Sequence, residues 1–166
     1  RGLFNADIAY ERWEFDIQHI KPLDRLRSLS FRAGCGFYTL IDGSKSFLDY
    51  TNFRDNNIPD GWNDEWTGEF SLLSGDWYNL SRYYVRSNVT YESPLLIAGW
   101  MPWVGRFFEK ERLYASTLVV THLHPYIEVG YGFTTRWASM GLFMANRNGK
   151  YDGFGVKVGL ELFRQW

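Results

Sequence analysis

The chain is short of most residue types on which soluble chemistry is built. One of its 166 residues is cysteine, so Cys35 has no partner for an internal disulfide and, set among small residues in an alternating stretch, reads as a packed thiol. Histidine occurs three times, as His19, His122 and His124. A Ser-His-Asp or Ser-His-Asn system therefore has few bases to draw on, and neither a G-x-S-x-G elbow nor a zinc-protease helix motif occurs. Charge of neither sign dominates: 18 basic and 19 acidic residues give a net charge of -1, without the basic excess that nucleic acid attracts. No apolar run approaches the roughly 18 residues of a membrane-spanning helix, and mean hydropathy is -0.34. That excludes helical spans alone, because a barrel strand crosses with about 10 residues, half of them polar. Internal repeats and low-complexity tracts are absent. Neither an initiator Met nor a signal peptide precedes Arg1, so the expectation is a processed or truncated chain.

Aromatic residues are abundant instead. The 13 Phe, 11 Tyr and 8 Trp make up 19% of the chain, beside 16 Gly, which suits aromatic girdles at a membrane boundary and tight β-turns. An aromatic-rich soluble β-sandwich is the competing reading. Period-2 alternation marks seven strand candidates. In Arg82 to Glu92, Tyr83, Val85, Ser87, Val89 and Tyr91 oppose Tyr84, Arg86, Asn88, Thr90 and Glu92, with the charges after Arg82 on one face. Tyr126 to Thr134 and Trp137 to Ala145 alternate as clearly, Arg112 to Thr121 less so. Leu26 to Thr39 sets Leu29, Phe31, Ala33, Cys35 and Phe37 against Ser28, Ser30, Arg32, Gly34 and Gly36. In Phe4 to Gln18 the apolar parity changes between Tyr10 and Trp13, which predicts a β-bulge near Glu11. Asn148-Gly149, within Arg147 to Lys150, predicts a tight hairpin turn.

The seventh candidate is the most specific. Phe154, Val156, Val158, Leu160 and Leu162 oppose Gly155, Lys157, Gly159 and Glu161, and the chain ends Phe163-Arg164-Gln165-Trp166. This resembles the closing strand of an outer-membrane β-barrel, whose alternating, aromatic-ended terminus is read by the barrel-assembly machinery; Phe163 and Trp166 would carry that signal. The resemblance implies a periplasmic C-terminus. Counting hairpins backward then puts residues 147–152 and the long 40–81 connection outside the cell, and residues 21–25, 93–111 and 134–136 on the periplasmic side. The odd strand number leads to the expectation that this is the C-terminal part of a larger barrel of about 16 strands.

Several blocks in order carry a family resemblance. They are D-Y-T-N-F-R-D-N-N-I-P-D-G-W-N-D-E-W at Asp49 to Trp66, Y-Y-V-R-S-N-V-T-Y-E-S-P-L-L at Tyr83 to Leu96, W-M-P-W-V-G-R-F-F-E-K-E-R-L-Y at Trp100 to Tyr114, H-P-Y-I-E-V-G-Y-G-F at His124 to Phe133 and L-E-L-F-R at Leu160 to Arg164. From about Leu26 onward the chain resembles the C-terminal half of the barrel of an uncharacterised Bacteroidota outer-membrane family, which carries a carboxypeptidase-regulatory-like sandwich before the barrel. The resemblance implies location and architecture, and it brings no catalytic residues. A more distant similarity is to the barrels of outer-membrane assembly proteins, where five strands also follow a long external loop.

The chemistry on offer is modest. Residues 42–76 hold eight acids against Lys45 and Arg54, about -6 in formal charge, interleaved with aromatics. Asp55, Asn56, Asn57, Asp60, Asn63 and Asp64 are oxygen donors of the kind Ca²⁺ takes, although their spacing misses the helix-loop-helix calcium loop. A solvated acidic loop anchored by aromatics is the plainer reading. Trp62, Asp64, Glu65 and Trp66 make this loop a candidate ligand or partner site, with sugar stacking as one use. His122 and His124 share a parity that a metal with a third ligand would need, and rim residues are the simpler reading. Arg32, Arg86, Lys157, Glu92, Glu128 and Glu161 fall on interior-facing positions, lining a pore or filling a lumen with ion pairs. Trp100, Trp103, Phe107 and Phe108 mark residues 93–111 as a candidate membrane-interface or partner segment, with Arg106, Lys110 and Arg112 in reach of phosphates.

Together these features predict an all-β, antiparallel transmembrane barrel portion of about seven strands in the bacterial outer membrane. The expected role is a non-enzymatic component of transport, outer-membrane assembly or a surface complex, with no cofactor. Outer-membrane lipid, the barrel-assembly machinery and other outer-membrane proteins or lipoproteins are its expected partners. A barrel-embedded acyl hydrolase or protease and a surface glycan-binding barrel are the alternatives.

Overall fold

Runs rich in Val, Phe, Tyr and Thr with strict alternation favour extended backbone, and each such run forms a strand. The computed structural model describes residues 9–42, 51–52, 70–73, 78–79, 83–100, 102–120 and 123–160. Seven long strands, β1 (Ala9–Pro22), β2 (Ser28–Asp42), β5 (Tyr83–Ser93), β6 (Phe108–Val120), β7 (Leu123–Thr135), β8 (Ala138–Arg147) and β9 (Lys150–Leu160), join the two-residue strands β3 (Thr51–Asn52) and β4 (Tyr78–Asn79). The long strands make one antiparallel sheet in the order β1-β2-β5-β6-β7-β8-β9, and β3 pairs with β4 apart from it. The sheet is open: among the described residues β1 and β9 are its edges and do not pair with each other.

Between the irregularities near the strand ends, the register carries each parity across the sheet. One row runs Gln18, Arg32, Asn88, Ser116, Glu128 and Ala145, and its neighbour runs Asp16, Gly34, Arg86, Leu118, Tyr126 and Arg147. On the opposite face, His19, Phe31, Val89, Ala115, Val129, Met144 and Phe154 form one row. The polarity is inverted relative to a soluble sheet. Arg86, Asn88, Thr90, Ser116 and Glu128 are buried, whereas Phe15, Ile17, Val85, Val129, Phe154, Val156 and Val158 are exposed, Val158 to 65%.

Local details follow the sequence closely. An irregularity does fall near Glu11, between Glu11 and Arg12, but pairing passes from Leu40 to Tyr38 and skips Thr39, so the extra residue sits on β2 and not, as the parity change suggested, on β1. The β8–β9 turn has positive φ at Asn148 (52°) and Gly149 (78°), the conformation a two-residue hairpin needs to match strand twist. Gly149→Val should cost about 1–2 kcal/mol, since a β-branched side chain there meets its own backbone, and a chemical-denaturation midpoint unchanged from wild type would contradict this.

Element boundaries differ from expectation at several places: β1 runs on to Pro22 rather than ending at Gln18, and β7 begins at Leu123 rather than Tyr126. β9 begins at Lys150 rather than Phe154, because the tight turn lets pairing start at once from Arg147–Lys150. β2 continues to Asp42, three residues into the anticipated 40–81 loop, paired with β1 as far as Ala9. The anticipated 93–111 connection shortens to residues 94–107: Ser93 pairs with Glu111, and Phe108 is already in β6. A register irregularity between Phe108 and Lys110 hid that start from a period-2 reading.

Candidate functional site

The polar face is a web of paired charges. Asp16 on β1 accepts from Arg32 Nε on β2 at 3.1 Å and from the guanidinium of Arg86 on β5, joining three strands through one carboxylate. Beside it, Glu14 accepts from the Tyr84 hydroxyl at 2.9 Å and from Arg12. Nearer the other end of the strands, Glu92 accepts from Arg112 Nε at 2.8 Å and pairs with Lys110 Nζ at 3.1 Å, while Arg112 also donates to Thr134 Oγ1 at 3.2 Å. Asn88 Nδ2 donates to Ser116 Oγ at 2.8 Å between them. A buried charge is tolerated where opposite charge and hydrogen bonds meet it, and these groups meet one another across neighbouring strands. Arg32, Arg86, Glu92, Glu128 and Lys157, expected on interior-facing positions, do share this face of the sheet. Asp16 and Glu14, on the least regular strand pattern, were not picked out by the sequence.

A short piece of the β2–β5 connection docks on the same face. Ser71 N donates to Glu128 Oε1 at 2.6 Å and Leu72 N to Oε2 at 2.9 Å, and the Tyr126 hydroxyl adds a third bond at 3.0 Å. Phe70 and Leu73, each 1% exposed, pack with Leu118, Val120, Tyr126 and Ala145, the Phe70 and Tyr126 rings 5.9 Å apart. Leu72 fills the space over Gly155, which any Cβ there would occupy. Glu128 thus anchors a loop to the wall rather than lining free space. Glu128→Ala is expected to release residues 70–73, speeding amide hydrogen exchange at Ser71 and Leu72 while β7 amides keep their protection; equal exchange in both proteins would refute the anchor.

A second docking occurs on the apolar face, at the other end of the strands. Residues 94–107 form a 3-10 turn at Ala98–Trp100 and one helical turn, α1, at Pro102–Gly105. They are tied down by Glu111, which is 0% exposed and shares the parity of Leu113, Tyr131 and Phe133. Its carboxylate accepts from Ile97 N at 3.2 Å, from Ala98 N at 3.1 Å, from Leu96 N and from the Tyr131 hydroxyl. A carboxylate on an apolar face would be costly if bare, and here backbone donors surround it. Gly105 closes the hook, since a Cβ there would lie 2.6 Å from the Ala98 carbonyl oxygen.

Of the residues singled out from sequence, Trp100, Trp103 and Phe107 project from this hook, with Trp100 at 89% and Trp103 at 82% exposure. Phe108 does not project with them: as the first residue of β6 it stacks on Phe133 at 4.4 Å. Trp62, Asp64, Glu65 and Trp66, the other oxygen donors of their loop, His122, the His124 side chain, Glu161, Phe163 and Trp166 lie outside the described residues. Among the described residues no group of three His, Cys, Asp or Glu is placed to hold a metal, and no helix is long and apolar enough to cross a membrane.

A family profile described as "Family of unknown function (DUF5686) C-terminal domain" matches residues 1–133. Neither a curated protein nor a solved structure matches the chain.

Proposed function

We propose that this chain, which belongs to the DUF5686 family as its C-terminal domain, forms part of the wall of an outer-membrane β-barrel. The inverted polarity of the sheet carries this reading. In water, exposed rows of Phe, Val, Ile and Leu over buried Arg, Glu and Asn would be unfavourable on both faces. Against lipid outside and a polar lumen inside, both faces are satisfied, and the backbone is hydrogen-bonded from strand to strand. The open edges β1 and β9 would be completed by further strands of the same barrel. This is the architecture that the resemblance to a Bacteroidota outer-membrane family with a preceding carboxypeptidase-regulatory-like domain implies.

The role proposed is structural or conductive, within a transport, outer-membrane assembly or surface complex. Among the described residues the buried carboxylates Glu111 and Glu128 are engaged by backbone amides, and Asp16 and Glu92 by guanidinium groups. That leaves them little capacity as general acids or bases. Docking of Phe70 to Leu73 supports a lumen narrowed by the protein's own loop.

Cysteine labelling of the full-length protein in cells tests the topology. In a Cys35→Ser background, Asn148→Cys should react with a membrane-impermeant maleimide from outside, and Trp137→Cys only after the outer membrane is permeabilised. Recovery in the soluble fraction, or equal labelling at both positions in intact cells, would refute the reading.

A further inference from the structure

We infer that residues 95–100 and 102–107 are an interfacial anchor that seats the barrel wall on the anionic phosphate headgroups of a phospholipid leaflet. This rests on the outer-membrane reading above. The first observation is the face on which the hook lies. Glu111 has the parity of the exposed apolar rows, so its grip on Leu96, Ile97 and Ala98 draws the hook across the lipid side of the wall. Ser93, on the same parity, is 1% exposed. Phe133, paired with Glu111 on this face, stacks with Phe108.

The second observation is what the hook presents. Leu95, Ile97, Trp100, Trp103 and Phe107 are exposed side by side in a short segment whose one charge is Arg106. Trp is most stable where its ring is in hydrocarbon and its N–H reaches polar groups, a condition met at the headgroup level. The third is the charge around it. The β1–β2 and β7–β8 turns lie at the same end of the strands, as the pairings Pro22–Ser28, Ser93–Glu111 and Thr134–Ser139 require. Lys21, Arg25, Arg27, Arg106 and Arg136 are exposed there with Asp24 and Glu109, an excess of cations beside another exposed aromatic, Trp137. Long basic side chains at such a boundary extend to phosphates while their stems stay on apolar surface.

Spin labels on the full-length protein in vesicles of phosphatidylglycerol or phosphatidylcholine test this. Labels are placed at Trp100→Cys or Trp103→Cys in a Cys35→Ser background, with Val129→Cys as a reference in the wall and Asn148→Cys as a reference in a turn. The accessibility ratio of oxygen to a nickel chelate should be several-fold higher at 100 and 103 than at 148, and lower than at 129. It should be higher in phosphatidylglycerol than in phosphatidylcholine, and Arg106→Gln with Arg136→Gln should abolish that difference. Ratios at 100 and 103 equal to that at 148, with 129 still lipid-like, would overturn the anchor while leaving the wall standing. Labels at 100 and 103 shielded from both reagents would mean a protein covers the hook, overturning the lipid assignment. Equal ratios in the two lipids would overturn the anionic preference. Water-like behaviour at 129 would remove the wall and the anchor together.

Discussion

On the outer-membrane reading proposed above, replacing Val129 with lysine is expected to destabilise the protein in a bilayer by about 2–4 kcal/mol, the cost of a cation on a lipid-facing position near the middle of a barrel strand. Val129 is the seventh residue of the thirteen in β7, flanked by Ala115 on β6 and Met144 on β8, and its side chain is exposed on the apolar face. In water the same substitution would relieve an exposed apolar group and change stability by less than about 0.5 kcal/mol. The sign and size of the effect therefore report the solvent that the face meets. Reversible urea unfolding in phospholipid vesicles measures it, with Asn148→Lys in the exposed turn as the near-neutral comparison. A Val129→Lys protein as stable as wild type would rule out lipid on this side.

The second large effect is expected at Glu111. Glu111→Ala removes the acceptor shared by Leu96, Ile97 and Ala98 N–H and by the Tyr131 hydroxyl, at a site that admits no solvent. Stranded donors cost about 1–3 kcal/mol each, and partial opening of the hook would recover some of this, leaving a loss on the order of 3 kcal/mol. Glu111→Gln keeps one carbonyl oxygen and loses less. Limited proteolysis distinguishes local from global damage: cleavage within 94–107 should appear in the Ala variant before β5 or β6 is cut. If that variant matches wild type in both stability and cleavage, the carboxylate does not hold the hook.

Much of the sheet was legible in the sequence because a strand's side chains alternate with period 2 and its two faces differ sharply in polarity. Arg86, Asn88 and Thr90 against Val85, Ser87 and Val89 assign β5 its faces before any contact is known. The Asn148-Gly149 turn was readable for another local reason, the ease with which these two residues take positive φ, whereas the bulge expected on β1 near Glu11 proved to lie on β2. What escaped depends on contacts between distant residues. Ser71 and Glu128 are separated by 57 positions, and nothing around Phe70 to Leu73 distinguishes a docked tetrapeptide from any other apolar stretch in a loop. Glu111 escaped for a subtler reason. It breaks the apolar parity of β6, so a search for alternation places it outside the strand; the irregular pairing near Phe108 strengthened that error. Its meaning becomes visible only with the hook's amides in place.

The carboxylate of Asp16, shared by arginines on two further strands, has a consequence for assembly. A slip of β5 by one residue against β2 would turn Arg86, Asn88 and Glu92 to the exposed apolar face and bring Val85, Val89 and Tyr91 against the ion-paired web. The mispaired hairpin would keep most of its backbone hydrogen bonds, so pairing alone discriminates weakly between the two alignments. Discrimination comes from the side chains. The Arg86 guanidinium turned to the apolar side and an Asp16 left with Arg32 alone would penalise the wrong alignment while it is still reversible, so on the proposed reading the charges of this face would act as an error check on strand addition.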